Sequence, residues 1–312
     1  MAVNLSGRSF VNMKDLSTEE IWEVLKTADA LKLERFRGQP HPLLAGKTLA
    51  MIFQKPSLRT RVSFEAGMTQ LGGHAIYLAP SDIKLGERET TEDIAQVLSR
   101  FADLIMARTF GHDIVEDLAR YATCPVINGL SEREHPCQIL ADMQTIWEKR
   151  GRLEGLTWVY VGDGNNVAHS IMYGGALMGM HVRIATPPGF EPNGEITADS
   201  LAIAKTKGGS VTVGNDPLAL SKDADVLYTD VWASMGQEAE AQSRRGKFQG
   251  FQINMKLVKA ARPDVVILHC LPAHYGEEID YEAARLPNSA IFDQAENRLH
   301  AQKALMVLLA RH

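Results

Sequence analysis

The chain has 312 residues, 23% of them charged, and a formal net charge of −5 at pH 7. This length predicts two domains with separate cores, and the dispersed basic residues argue against nucleic acid or an anionic membrane surface as a partner. The N-terminus lacks a signal-peptide pattern and no apolar run approaches the ~20 residues that span a bilayer, so we expect a cytoplasmic protein.

Alternating apolar and amphipathic stretches predict a first domain of α/β class. From Thr48 onward, TLAMIF, HAIYLA, DLIMART and PVINGL have the composition of strands, and RVSFEAGMTQLG and TEDIAQVLSRFA have helical spacing. This order predicts right-handed βαβ units on a parallel sheet. A long helix from about His135 to Arg150 ends this domain, which we predict to span residues 1–150.

A second series of strand-like segments predicts a second domain over residues 151–312. The segments are LTWVYVG, HVRIAT, SVTVGN, DVLYTDVW and DVVILHCLP. The predicted fold class is therefore α/β, with two doubly wound parallel-sheet domains and a cleft between them. The last segment, about 296–312, has apolar residues at helical spacing, and we expect this helix to pack back on the first domain because an isolated helix is unstable.

The turn after the first strand carries a candidate anion site. Ser57, Arg59 and Thr60 follow TLAMIF in the sequence QKPSLRTRVSFEAG. A helix N-terminus binds phosphate, an arginine adds two charge-assisted bonds, and the two hydroxyls can donate to the anion or cap the helix. The alternative is an ordinary helix cap beside surface arginines. Clustering of so many donors favours the anion site.

Two nucleotide-binding patterns are incomplete. Residues 46–48, Gly-Lys-Thr, lack the first glycine of a phosphate-binding loop and precede a strand, which argues against ATP. Residues 162–166, GDGNN, break the dinucleotide fingerprint, and the next strand ends at Thr186 without a ribose-binding acid. Cys124, Cys137 and Cys270 show no metal-ligand spacing and no disulfide framework. We therefore predict neither a cofactor nor a metal.

Polar groups at further strand ends extend the candidate site of the first domain. Arg108 ends DLIMART, and His135 and Gln138 begin the long helix, where a spacing of three places both on one face. Together the three side chains can polarise a carbonyl oxygen and hold an amide. A histidine at a helix start is more often a structural residue, so only its convergence with the anion site favours a function.

Three strand ends of the second domain also carry polar side chains. They are Asn165 and Asn166 after LTWVYVG, Asp230 with Ser234 and Met235 in TDVWASMGQE, and His269, Cys270, Leu271 and Pro272 after DVVIL. An acid, an amide and a hydroxyl suit an amino acid's ammonium and carboxylate. The alternatives are a strand-end cap for Asp230 and a small buried hydrophobe for Cys270. Cys270 lacks a convincing base partner, which argues against a covalent intermediate.

Seven ordered segments together resemble the aspartate/ornithine transcarbamoylase family, and most closely its ornithine-using members. They are KPSLRTRVSFE, ARTFGH, NGLSEREHPCQILAD, GDGNNVAHS, TDVWASMGQE, HCLPAH and ENRLHAQKAL, and the resemblance as a whole covers nearly the whole chain. For carbamoyl phosphate the resemblance implies binding by Ser57, Leu58, Arg59, Thr60, Arg108, His135, Gln138, Cys270, Leu271 and Arg298. For ornithine it implies binding by Asn166, Asp230, Ser234 and Met235.

Two positions depart from the family pattern. The family usually has threonine at Leu58, so a hydroxyl is lost while the backbone amide remains for phosphate. Ornithine-using members commonly have glutamine or histidine at Lys84, in a loop that reaches a neighbouring subunit's site. Lys84 is either a solvated loop residue or a cation near the bound phosphate.

The resemblance implies transfer of a carbamoyl group from carbamoyl phosphate to the δ-amine of L-ornithine, in arginine biosynthesis and by a homotrimer or a multiple of trimers. The expected catalytic residues are Arg108, His135, Asp230 and Cys270. Arg108 and His135 would polarise the carbonyl, and Asp230 with Cys270 would accept a proton from the attacking amine. The alternatives are another amine, such as N-acetylornithine, putrescine or aspartate, a non-catalytic binding protein on the same fold, and a nucleotide-dependent oxidoreductase.

Overall fold

The computed structural model describes residues 3–83, 85, 88–233 and 241–310. The strands are β1 (Thr48–Phe53), β2 (His74–Leu78), β3 (Leu104–Arg108), β4 (Val126–Leu130), β5 (Thr157–Val161), β6 (His181–Ala185), β7 (Ser210–Gly214), β8 (Val226–Thr229) and β9 (Val266–His269). The helices are α1 (Thr18–Phe36), α2 (Leu58–Gln70), α3 (Pro80–Ile83), α4 (Thr91–Phe101), α5 (His112–Tyr121), α6 (Pro136–Arg150), α7 (Asn166–Leu177), α8 (Gly194–Lys207), α9 (Pro217–Ser221), α10 (Ala241–Lys247), α11 (Met255–Ala260) and α12 (Ile291–Leu309). None of the helices in these described ranges is both long and apolar enough to cross a bilayer.

The first compact unit runs to Gln144 and resumes at Glu296. Its four-stranded parallel sheet has the order β2-β1-β3-β4, and Phe53 at the end of β1 pairs in register with Arg108 at the end of β3. The chain crosses from one side of β1 to the other between β2 and β3. In such a sheet the crevice for a ligand lies beyond the carboxyl ends of the strands at this switch point. The loops after β1 and β3 are therefore positioned to bind a ligand.

The C-terminal helix α12 belongs to this unit from Glu296 onward, as the sequence predicted. Lys32 Nζ on α1 donates to Asn297 Oδ1 at 2.7 Å, and Gln302 Nε2 donates to Ser63 Oγ on α2 at 2.7 Å. Gly67 of α2 lies so close to α12 that a Cβ added at this glycine would be 3.1 Å from Met306 Cε. The helix begins at Ile291, a few residues before the predicted start.

The second compact unit runs from Thr145 to Ala295. Its five-stranded parallel sheet has the order β7-β6-β5-β8-β9, so its switch point lies between β5 and β8. Both predicted parallel-sheet α/β domains are thus confirmed. The core packs buried side chains of β5, β8 and β9 against the segments that cover them, including Val159, Val161, Leu227, Phe248, Ile253, Leu257, Ile267 and Ile291.

Side-chain caps begin most helices of the second unit. Asparagine or aspartate oxygens accept from the first backbone N–H groups of α7, α8, α9 and α11, at Asn165, Asn193, Asp216 and Asn254. The strands here are shorter than the segments DVLYTDVW and DVVILHCLP suggested. Because β8 stops at Thr229 and β9 at His269, Asp230 and Cys270 follow directly after neighbouring strands.

Candidate active site

The N-terminus of α2 is the centre of the candidate anion site. Ser57 caps the helix: its Oγ accepts from Thr60 N at 3.3 Å and donates to Thr60 Oγ1 at 3.1 Å. The first N–H groups of a helix have no carbonyl partner within it and carry the positive end of its dipole. Leu58 offers only its backbone to a ligand at this end, because its side chain is apolar and 74% exposed.

Arg298 connects three segments of the first unit. From α12, its Nη1 donates to Gln138 Oε1 at 2.6 Å, its Nη2 to Thr60 Oγ1 at 3.4 Å and its Nε to Gln302 Oε1 at 2.8 Å. Arg298 is 2% exposed, and Gln138 and Thr60 are each 1% exposed. This buried fork holds the start of α6 and the start of α2 in a fixed arrangement.

His135 lies at the start of α6 among three guanidinium groups. Burial lowers the pKa of its imidazole well below the usual value, and the charges of Arg298, Arg108 and Arg59 lower this pKa further. His135 and Arg108 are 5% and 7% exposed. His135 is therefore neutral near pH 7 and can donate one N–H bond without adding charge. The surrounding arginines favour an anion, and the neutral imidazole suits a carbonyl oxygen.

Asp230 is the centre of the polar group in the second unit. Its Oδ1 accepts from Cys270 Sγ at 3.0 Å, and its Oδ2 accepts from Asn165 Nδ2 at 2.9 Å. Asn165 also caps α7, with Oδ1 accepting from Val167 N at 3.0 Å and from Ala168 N at 3.3 Å. Residues after β5, β8 and β9 thus meet at the carboxyl end of the sheet, where an acid and a thiol can bind an amine and move its proton.

Tyr160, on β5, borders this acid. Burial raises the pKa of its phenol well above the usual value, and the nearby charges of Asp230 and Asp163 raise this pKa further. The phenol therefore stays protonated, and it donates a long hydrogen bond of 3.4 Å to Asn165 Oδ1. Asp163 pairs instead with Arg244 Nη1 at 2.7 Å, which leaves Asp230 as the acid joined to Cys270.

The backbone after β9 is held by a buried pair. His269 Nδ1 accepts from Leu271 N at 2.8 Å, and His269 Nε2 is 3.0 Å from Glu278 Oε1. Since Nδ1 accepts, the ring donates through Nε2 to the carboxylate. Leu271 itself has a positive φ of 58°, and the Leu271–Pro272 peptide bond is cis. The backbone N–H of Leu271 is thus held by the His269 ring, which Glu278 orients.

The structure brings the predicted site residues into two groups, one in each unit. The first unit holds Ser57, Leu58, Arg59, Thr60, Arg108, His135, Gln138 and Arg298. The second unit holds Asn166, Asp230, Cys270 and Leu271. Lys84, Ser234 and Met235 lie outside the described residues.

Sequence reasoning missed three contacts within these groups. Asn165, which the resemblance had not assigned to the site, donates from Nδ2 to Asp230 Oδ2. Asp142 Oδ1 accepts from Gln138 Nε2 at 2.8 Å, and Gln302 accepts from Arg298. Asp142 and Gln302 could have been found from the sequence. Each lies four residues after its partner, Gln138 or Arg298, and this spacing places the two side chains one helical turn apart.

One group of metal-ligand atoms occurs among the described residues. Atoms of His274, Glu277 and Glu278 lie within 4.8 Å of one another. Glu278 already bonds His269, and Glu277 Oε1 pairs with Arg245 Nη2 at 2.6 Å. Because both carboxylates have partners within the protein, we assign no metal to them.

Comparisons with known proteins identify the family. Residues 8–148 match the aspartate/ornithine carbamoyltransferase carbamoyl-P binding domain, and residues 154–309 match the Asp/Orn binding domain of the same family. The anabolic ornithine carbamoyltransferase of Pyrococcus furiosus is 57% identical over 309 residues, which cover 99% of this chain and 98% of that protein.

Solved structures agree with this match. The Pyrococcus furiosus ornithine carbamoyltransferase structure aligns with a TM-score of 0.97 at 56% identity, covering 99% of each chain. The Thermus thermophilus enzyme of the same name aligns with a TM-score of 0.87 at 44% identity, covering 97% of this chain and 99% of that one. The chain belongs to the aspartate/ornithine carbamoyltransferase family.

Proposed function

We propose that this chain transfers the carbamoyl group of carbamoyl phosphate to the δ-amine of L-ornithine, forming L-citrulline and phosphate for arginine biosynthesis. The observation that carries the proposal is the buried group at the start of α6, where Arg298 donates to Gln138 and where burial and the charges of Arg298, Arg108 and Arg59 lower the pKa of His135. A dianionic phosphate joined to a carbonyl group needs this combination of cations and a neutral donor. The relatives named ornithine carbamoyltransferase support ornithine as the acceptor, and the Pyrococcus furiosus relative is named anabolic.

Carbamoyl phosphate is proposed to bind to the first unit. The N-terminus of α2 with Ser57, Arg59 and Thr60 takes the phosphate, because backbone amides and a guanidinium suit its three oxygens. Arg108 and His135 hold the carbonyl oxygen. As the C–O bond to phosphate breaks, charge grows on the leaving group, and the arginines stabilise that charge more in the transition state than in the ground state.

Ornithine is proposed to bind to the second unit. Asp230, which is 7% exposed, is the acid that receives the amine, and Asn166 is assigned to the amino acid by the family resemblance. An amine attacks only when neutral, so the ornithine δ-ammonium must lose a proton. The Asp230–Cys270 pair is the proposed first acceptor, with the departing phosphate as a final acceptor. Ser234 and Met235 stay predictions, as do Cys270 and Leu271 as ligands of carbamoyl phosphate.

The test is product formation by the purified protein. Carbamoyl phosphate is supplied with L-ornithine and, in parallel, with N-acetylornithine, putrescine or aspartate, and both citrulline and phosphate are measured. Citrulline and phosphate in equal amounts with ornithine alone is the expected result. Phosphate release that depends on another amine would overturn ornithine as the substrate. No release above background with any amine would indicate a non-catalytic binding protein.

We further propose that the chain forms a homotrimer or a multiple of trimers, as its family resemblance implies. Light scattering during size-exclusion chromatography should give a mass that is a multiple of three chains of 34.4 kDa. A monomer or dimer that retains full activity would overturn this proposal. The cytoplasmic location inferred from the sequence stays a prediction.

A further inference from the structure

We propose that Asp142 is a positioning residue that makes the site selective for the carbamoyl NH2 group of carbamoyl phosphate. This inference rests on the proposed function. Asp142 lies one helical turn after Gln138 on α6, and the two side chains are 0% and 1% exposed. Gln138 Nε2 donates to Asp142 Oδ1 at 2.8 Å. This bond lets Asp142 act on a ligand through the amide of Gln138.

The orientation of this amide is fixed from both ends. A carboxylate only accepts hydrogen bonds, so Asp142 requires the nitrogen of the Gln138 amide. A guanidinium only donates, and Arg298 Nη1 donates to Gln138 Oε1 at 2.6 Å. Both partners select the same orientation, with Oε1 on the side of Arg298. An amide oxygen has two lone pairs, so Oε1 can accept a second bond from a ligand.

This orientation distinguishes a carbamoyl group from its close analogues. The carbamoyl NH2 donates hydrogen bonds, and the Gln138 oxygen is a matching acceptor. An acetyl group has a methyl in that place and donates nothing, so a site built around an acceptor discriminates against it. If the Gln138 amide turned over, its own N–H groups would face the ligand's N–H groups and the match would be lost. The Asp142 carboxylate opposes this rotation because it would then face an amide oxygen.

The experiment distinguishes recognition of the carbamoyl NH2 group from recognition of the phosphate. The KM of carbamoyl phosphate and the competitive inhibition constants of acetyl phosphate and inorganic phosphate are measured for the wild-type protein, Asp142→Leu and Asp142→Asn. Asp142→Leu removes the acceptor, and the KM should rise about tenfold, the effect of one lost hydrogen bond. Asp142→Asn keeps one oxygen and should raise the KM about threefold. In both variants the inhibition constants of acetyl phosphate and inorganic phosphate should stay within about twofold of the wild-type values. The control is Glu148→Gln at an exposed position on the same helix, and its KM and both of its inhibition constants should also stay within about twofold.

A second variant shows whether Asp142 acts through Gln138. In a Gln138→Leu background, the additional change Asp142→Asn should leave the KM of carbamoyl phosphate unchanged, because the amide that it orients is absent. Equal weakening of all three ligands would show that Asp142 only maintains the arginine cluster, and would overturn the inference. An unchanged KM in Asp142→Asn and Asp142→Leu would overturn it as well. If Asp142→Leu does not fold, the isosteric Asp142→Asn decides. A wild-type protein that makes no citrulline would instead overturn the proposed function.

Discussion

Asn165 Nδ2 donates to Asp230 Oδ2 at 2.9 Å while the oxygen of the same Asn165 side chain caps helix α7. One amide thus joins the start of a helix to the acid that follows β8. Because the Asn165 oxygen is held by two backbone N–H groups, its nitrogen is directed toward Asp230. The carboxylate is therefore held in place, with its other oxygen turned to Cys270.

Asn165→Ala should raise the KM of ornithine about tenfold and leave that of carbamoyl phosphate within about twofold, since one charge-assisted hydrogen bond to Asp230 is lost. The cap of α7 is lost too, at about 1 kcal/mol of stability. Asn193→Ala is the matched control, because Asn193 caps α8 through the same pair of bonds. Steady-state kinetics and urea unfolding check both variants. An equal change of the ornithine KM in the control would contradict a specific role for Asn165.

Asp230→Asn should lower kcat about 100-fold, because an amide of the same shape does not accept a proton from the amine. The KM of carbamoyl phosphate should stay within about twofold, since the residues proposed to hold its phosphate lie in the first unit. Measurement of both substrates under saturating partner concentrations checks this. A lowered affinity for carbamoyl phosphate with normal kcat would contradict the assignment of Asp230 to ornithine.

Arg298→Lys should raise the KM of carbamoyl phosphate about tenfold although the charge is kept, because lysine cannot reproduce the guanidinium fork to Gln138 and Thr60. The control is Arg61→Lys on α2, where the guanidinium pairs with Glu65 at 2.9 Å and the side chain is 48% exposed. The control should stay within about twofold. Equal kinetics for the two variants would show that the Arg298 fork has no part in binding.

His300→Gln should reduce the acid sensitivity of folding. Burial lowers the pKa of His300 to about 3, and the charges of Lys303 and Lys32 add to this shift. In the unfolded chain the pKa is near 6.5, so unfolding takes up a proton between pH 6.5 and 3 and stability falls as the pH falls, by about 1.4 kcal/mol per unit at most.

Urea midpoints measured between pH 4.5 and 7.5 check this expectation. The fall in stability below pH 6.5 should be shallower in His300→Gln than in the wild-type protein. Stability of the His300→Gln variant should still fall as the pH falls, because burial also lowers the pKa of His135. His74→Gln, at an exposed position on β2, controls for the loss of an imidazole. Identical slopes in the wild-type protein and His300→Gln would contradict the expectation.

The sequence by itself determined the fold class and the edges of the sheets where polar groups collect. Strand-like runs alternating with helical spacing require parallel sheets, and parallel strands present their carboxyl ends at one edge. This pattern alone predicts that Arg108, Asp230 and Cys270 lie at strand ends, and the bounds of β3, β8 and β9 confirm it. The cap formed by Ser57 could also be predicted from the sequence, because its partner Thr60 is only three residues away.

Only the tertiary structure decided which distant residues meet. Arg298 lies 238 positions from Thr60 and 160 from Gln138, and its bonds to them exist because α12 docks on α2 and α6 within the first unit. No local pattern encodes such a pairing, and only the family resemblance had assigned Arg298 to the site. The bond from Asn165 to Asp230 is also tertiary, because the two residues are 65 positions apart in the chain. The sequence offers two adjacent amides, and the capping geometry of α7 directs the Asn165 nitrogen toward the acid.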